Sequence, residues 1–217
     1  VKVGILNQPF YYHNAPIAVN FGSIGYVLGH EILHGFDNEG AEHDYKGHKK
    51  MWWSNETWEV YQKKVKCFVD QYSDFVEPVT GLKVNGTLTT GENIADNGGL
   101  FQSFVVRNVN FIDHPQLNFY NLKAYKMYGA LSSLGLDKRL PLEMSRYTKD
   151  QIFFISFANT YCNNDSPDFI RDALVTDEHS PFYARVIVTL QNSKHFSDTF
   201  KCKVGSKMNP NKKCILW

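Results

Sequence analysis

The pentapeptide His30-Glu31-Ile32-Leu33-His34 constrains this chain more than any other feature. Ile24, Val27 and Leu28 precede it at helical spacing, so residues 21–37 are expected to form a helix. On a helix, residues i and i+4 share one face. His30 and His34 can then turn both imidazoles toward one zinc ion. Glu31, on the neighbouring turn, is placed to hold a water on that ion and to take its proton.

A catalytic zinc site needs a third protein ligand and an open position. The extended pattern that supplies a third histidine fails here, because Asp37 and Gly40 stand where Gly and His are required. A shorter spacing would place a glutamate at Ser54 or Asn55, and Glu56 and Glu59 come slightly late. The better candidate lies in Gly91-Glu92-Asn93-Ile94-Ala95-Asp96-Asn97-Gly98-Gly99. There Glu92 and Asp96 are i and i+4 on one helical face. One carboxylate can ligate the metal while the other orients a ligand histidine. The Asn and Gly around them are poor helix formers, which points to a packing reason for their presence.

The rest of the chain reads as mostly helical. Ser54 looks like an N-cap, followed by Trp58, Tyr61, Val65, Phe68, Val69 and Tyr72 on one face. Val84-Asn85-Gly86-Thr87 is a turn signal. A helix opens near Thr90-Gly91-Glu92 and runs past Val105, and others are expected over 116–132, 149–164 and 181–191. Short strands are expected near the start, where Val1-Lys2-Val3-Gly4-Ile5-Leu6 reads as an interior strand. No charged leader precedes Val1, so the chain reads as a fragment, and any signal or anchor would lie upstream. No linker interrupts the 217 residues, which read as one domain.

The aromatic share of 15% supplies a sizeable core. A net charge of +1, with no basic face, argues against nucleic acid as a partner. No run of about 18 apolar residues is available to span a membrane. Cys67, Cys162, Cys202 and Cys214 form no close pair, which excludes a cysteine zinc finger or thioredoxin motif. Sequons at Asn55, Asn85 and Asn164 are glycosylation candidates. Four spread cysteines and three sequons favour an extracellular setting that permits disulfides.

At this point the sequence resembles the neprilysin and endothelin-converting-enzyme family of zinc endopeptidases. The matching stretches are Ala18 to Gly25, His30 to Asp37, Val84-Asn85-Gly86 and Gly91 to Gly99. They continue with Gln151 to Ala158, His179-Ser180-Pro181, Arg185-Val186, and Met208-Asn209-Pro210 through Cys214 to Trp217. The match runs in order over essentially the whole chain.

The resemblance implies a mainly α fold with a small β-sheet (α+β), of the thermolysin-like zincin, gluzincin type. It implies one Zn2+ per chain, held by His30, His34 and Glu92, with Glu31 as general base. Asp96 would hydrogen-bond one zinc-bound histidine and Asp37 the other. His179 would stabilise the tetrahedral intermediate, and Arg185 would grip a substrate carbonyl. The implied reaction is hydrolysis of internal bonds in short peptides.

The resemblance further implies that residues 1–217 are the C-terminal catalytic part of a larger ectodomain, membrane-anchored by a single span or secreted. Its substrate-aligning strand and roofing helical lobe would precede Val1. Cys67 would pair with Cys214, while Cys162 and Cys202 would reach cysteines in that N-terminal part. Asn159-Thr160-Tyr161 differ from the Val-Trp usual in neprilysin, at positions that would touch the pocket for the residue after the cut. The rival is a catalytically inactive homologue, or a fragment, that binds peptides. The intact set His30, Glu31, His34, Glu92 and His179 weighs against it.

Overall fold

Helices need apolar faces to pack, and this chain places such faces along most of its length. The structure, a computed structural model, describes residues 2–108 and 142–216. Helix α1 (Ile17–Asn20) passes through a π-helical turn, Phe21–Gly25, into α2 (Tyr26–Leu33). A 3-10 turn, His34–Phe36, follows. The helical stretch expected over 21–37 therefore begins four residues earlier, at Ile17, and carries a π-helical turn ahead of His30.

Helix α3 (Asn55–Ser73) starts where expected. The Ser54 hydroxyl accepts the Thr57 N–H at 3.2 Å and satisfies one of the unpaired amides of the first turn. Its buried face is Tyr61, Val65, Phe68 and Tyr72, at spacings of three and four. Helix α4 (Thr90–Asn108) carries Glu92 in its first turn. Helix α5 (Lys149–Asn159) opens with a capping box between Thr148 and Gln151. It stops short of the expected residue 164, because Asn163, Asn164 and Asp165 favour turns and Ser166 caps the next helix.

That next helix, α6 (Pro167–Thr176), was not expected, although Ser at the cap and Pro at the first position announce it. Helix α7 (Phe182–Asn192) matches expectation within one residue, and the short α8 (Lys194–Thr199) was also missed. The helix expected over 116–132 lies outside the described residues.

The small β-sheet is a correction. Among the described residues there are only isolated bridges, His43 with Lys49, Val76 with Lys83 and Ser206 with Asn209. Val3–Ile5 forms a 3-10 turn, and Val3 is 82% exposed. A strand must hand its backbone N–H and C=O groups to a partner strand, and the described residues provide none beside it.

Two apolar clusters make the core. One gathers Tyr61, Phe68, Tyr72, Ile94, Val188 and Leu216 between α3, α4, α7 and the C-terminal tail. The other gathers Tyr26, Leu100, Phe104, Phe153, Phe154 and Phe157 between α2, α4 and α5. Helix α4 serves both, through Ile94 on one side and Leu100 with Phe104 on the other. The Cys67–Cys214 disulfide ties α3 to the tail, with 5.6 Å between the Cα atoms. Among the described residues, no helix is long and apolar enough to cross a membrane.

Candidate metal centre

The centre is built where α2 crosses α4. Ordinary side chains would hold the two helices apart. Here Gly29 meets Gly99, and a Cβ on Gly99 would stand 2.4 Å from the His30 backbone nitrogen. Only glycine permits that approach. It explains the glycines of α4, while Asn93 and Asn97 are held by hydrogen bonds to Thr89, Ser180, Tyr72 and Asn192. It also brings Glu92 and Asp96 up to His30 and His34.

His30 and His34 present their Nε2 atoms to each other at 3.1 Å. Glu92 closes the triangle, with Oε2 3.2 Å from His30 Nε2 and Oε1 3.4 Å from His34 Nε2. Donor atoms about 2.0–2.1 Å from a tetrahedral zinc lie about 3.3 Å apart, so these spacings are those of zinc corners. Among the described residues, His30, His34 and Glu92 are the group whose donor atoms could hold one metal ion. Glu92 Oε2 is buried and faces nitrogens of His30, His179 and Arg185 at 3.2, 3.2 and 3.7 Å, with no well-aligned hydrogen bond to any of them. A buried carboxylate oxygen so poorly aligned with its donors is better satisfied by a cation among them. The donor set therefore fits zinc.

The far side of each imidazole meets an acid. His34 Nδ1 lies 2.7 Å from Asp37 Oδ2, and Asp37 Oδ1 is itself fixed by the backbone N–H groups of Glu39 and Gly40. His30 Nδ1 lies 2.9 Å from Asp96 Oδ1, with the ring turned off the ideal hydrogen-bond line. Such partners place the proton on Nδ1 and leave Nε2 as the free lone pair.

The field of these acids shifts the acidities of the groups in the site. Burial works against a charged His30, yet the close carboxylates of Asp96 and Glu92 push its pKa up to about 9. For His34 the Asp37 hydrogen bond outweighs burial and raises the pKa. Burial disfavours the charge on Glu92, but His30, His179 and Arg185 hold its pKa below the usual range. Asp96 is fully buried, and Arg185 overcomes that burial to hold it far below the usual range. A site that attracts a proton this strongly also attracts a dication.

Arg185, on α7, is buried and bidentate to Asp96, with Nε 2.8 Å from Oδ2 and Nη2 2.7 Å from Oδ1. Its Nη2 is also 3.7 Å from Glu92 Oε2. His179, in the loop before α7, is exposed and reaches the site with Nε2 3.2 Å from Glu92 Oε2. Glu31 is exposed on α2, beside His30 in sequence. The structure thus brings His30, His34, Glu92, Asp37, Asp96, His179 and Arg185 together. Glu56 and Glu59 lie exposed on α3, outside this cluster.

Sequence reasoning missed Asp177. Its Oδ1 accepts the His179 backbone N–H at 2.8 Å and lies 2.8 Å from His179 Nδ1, which fixes the ring. Burial opposes its charge, but those bonds lower its pKa. An Asp two residues before a loop histidine was the available signal. Tyr26 was also missed as a site residue, and Tyr161, expected at the pocket for the residue after the cut, was not expected beside Asp96. Both hydroxyls approach Asp96, across 70 and 65 residues of sequence.

The three sequon asparagines, Asn55, Asn85 and Asn164, are exposed. Cys162 and Cys202 are unpaired, the first exposed and the second half-buried.

Comparison with known proteins agrees with this chemistry. The profile of peptidase family M13 matches residues 1–128 and 120–216. Neprilysin-1 of Caenorhabditis elegans is 41% identical over 214 residues, covering 99% of this chain and 26% of its own length. Human endothelin-converting enzyme 1 is 41% identical over 220 residues, covering 99% of this chain and 25% of its own length. A Haemonchus galactose-containing glycoprotein complex superposes with a TM-score of 0.78 at 32% identity, over 99% of this chain and 32% of that one. The inhibitor-bound zinc metalloprotease Zmp1 of Mycobacterium tuberculosis superposes with a TM-score of 0.73 at 28% identity, over 92% of this chain and 27% of that one. The chain spans about a quarter of the length of the curated relatives it matches.

Proposed function

This chain belongs to peptidase family M13, and from that membership we propose that it is the catalytic part of a zinc-dependent endopeptidase acting on short peptides. The observation that carries the proposal is the convergence of His30 Nε2, His34 Nε2 and the Glu92 carboxylate at the spacing of zinc ligands. His30, His34 and Glu92 would hold the zinc. When bound, zinc makes water a nucleophile near neutral pH and polarises a carbonyl.

The protein's own groups divide the remaining work. Glu31 is exposed and next to a ligand histidine, so it can take the proton of the attacking water and pass it to the leaving amine. His179, held by Asp177, points Nε2 at the site, where it would stabilise the oxyanion. Arg185 keeps two nitrogens on Asp96, and its remaining N–H groups would grip a substrate carbonyl and set register. Asp37 and Asp96 keep the histidines in the ligating tautomer.

The same proposal covers the whole protein. Residues 1–217 would form one catalytic domain of a larger extracellular protein, anchored or secreted, with Asn55, Asn85 and Asn164 available for glycosylation. Cys162 and Cys202 would join cysteines in an N-terminal part of the same polypeptide. The test is Glu31→Gln in the zinc-loaded protein. It should keep its zinc and lose peptide turnover by roughly two to four orders of magnitude. Activity within a few-fold of wild type would contradict the assignment of the base.

A further inference from the structure

Asp96 is fully buried and receives more donors than a carboxylate needs to hold one histidine. Arg185 takes both of its oxygens, and His30 Nδ1 lies 2.9 Å from Oδ1. The Tyr26 hydroxyl also bonds Oδ1. The Tyr161 hydroxyl bonds that of Tyr26 and lies 3.5 Å from Asp96 Oδ1.

Counting protons fixes the direction of this chain. Arg185 donates to both oxygens of Asp96, which is the acceptor throughout, so Tyr26 donates to it. The Tyr26 proton is then spent, so in the Tyr26–Tyr161 bond Tyr161 is the donor, and its 3.5 Å approach to Asp96 Oδ1 is the longer of its two contacts. Tyr161 is held in turn by packing. Its ring lies edge-on to Phe157 at 5.7 Å, meets Phe182 at 5.7 Å and carries the Arg185 guanidinium 4.9 Å from its centroid. Tyr26 is clamped against Phe157 at 4.7 Å.

We propose that Tyr26 and Tyr161 are positioning residues, a hydroxyl relay from Tyr161 through Tyr26 that fixes the Asp96 carboxylate and thereby the orientation and donor strength of His30. The proposal rests on the assignment of His30 as a zinc ligand. The physical need is clear in the geometry. Arg185 pulls Asp96 from the α7 side, and His30 is off the ideal line to it. A third donor from α2 itself opposes that pull and keeps Oδ1 within reach of Nδ1. Without it, the carboxylate is free to turn fully toward the guanidinium.

The relay predicts a pattern that simple packing does not. The probe is zinc release from the loaded protein into excess chelator, for Tyr26→Phe, Tyr161→Phe and the double variant. Each single variant should release zinc about three- to tenfold faster, below or at the lower end of the span for groups that directly bond a metal-ligating histidine. The double variant should release it scarcely faster than Tyr26→Phe, because the direct approach of Tyr161 to Asp96 is long, at 3.5 Å, and Tyr161 acts mainly through Tyr26. The visible spectrum of the cobalt(II)-substituted protein should shift in the single variants, reporting a changed His30 ligand field.

Additive effects in the double variant, or release and spectra equal to wild type, would overturn the relay while leaving the metal assignment standing. A wild-type protein that binds no zinc would overturn both. Should Tyr26→Phe fail to fold, Tyr161→Phe decides alone by its release rate and cobalt spectrum.

Discussion

Glu92 shows in one residue what the site is for. Its Oε2 is buried with no well-aligned hydrogen bond, a condition that costs on the order of 1–3 kcal/mol. His179 and Arg185 both reach toward that oxygen, at 3.2 Å and 3.7 Å, yet they should behave differently in kinetics. His179 is exposed and bonded to Asp177 alone outside the site, so His179→Ala should leave folding intact. It should lower kcat by on the order of a hundredfold with little change in KM. Arg185 is bidentate to the buried Asp96, so Arg185→Lys should raise KM and also loosen zinc, because lysine cannot make the paired contact. Steady-state kinetics with zinc analysis separates the two. Equal effects confined to KM would contradict the division.

These residues were unevenly legible in the sequence. His30, His34, Glu31 and the Glu92–Asp96 pair announce themselves by local spacing, because i and i+4 on a helix is a geometric statement. His179 and Arg185 emerged only through family resemblance. Tyr161 lies 135 residues from Tyr26, and no local period relates positions that far apart.

At the scale of elements, the crossing of α2 and α4 decides whether there is a site. Gly29, Gly98 and Gly99 set the distance between those helices, and Leu33 already fills the space beside Gly98. Gly99→Ala would push a methyl into the His30 backbone. Overpacking of this kind costs about 1–3 kcal/mol, and here the relief would come by moving α4 away from α2. The variant should show a lowered unfolding midpoint together with faster zinc loss. Unchanged midpoint and unchanged retention would show that the close approach does not position the ligands. The helices themselves were mostly legible, because Ser54, Thr148 and the apolar faces carry start signals and period. α6 was legible in principle from Ser166-Pro167. The expected β-sheet was not found, because pairing partners for a strand cannot be read from the strand alone.

At the scale of the molecule, the chain's end is tied down. Cys67 and Cys214 are separated by 147 residues, and Leu216 caps the cluster that also holds Phe68 and Val188. Closing so long a loop contributes up to about 5 kcal/mol in the chain-entropy model. Non-reducing peptide mapping should recover a Cys67–Cys214 peptide, and Cys67→Ser with Cys214→Ser should unfold at markedly lower denaturant. Recovery of a Cys162–Cys202 peptide instead would contradict both the tie and the proposed bonds to an N-terminal part. The disulfide was legible only through resemblance, since four cysteines allow three pairings.

The central claim is that the triangle of His30, His34 and Glu92 is a zinc site. Its most direct test is metal analysis of the purified protein beside Glu92→Gln, which keeps shape and removes the charge. The wild type should carry about one zinc per chain, and the variant should lose it on dialysis, as expected when one of three protein ligands is lost. Full zinc occupancy in Glu92→Gln, with activity retained, would contradict the claim.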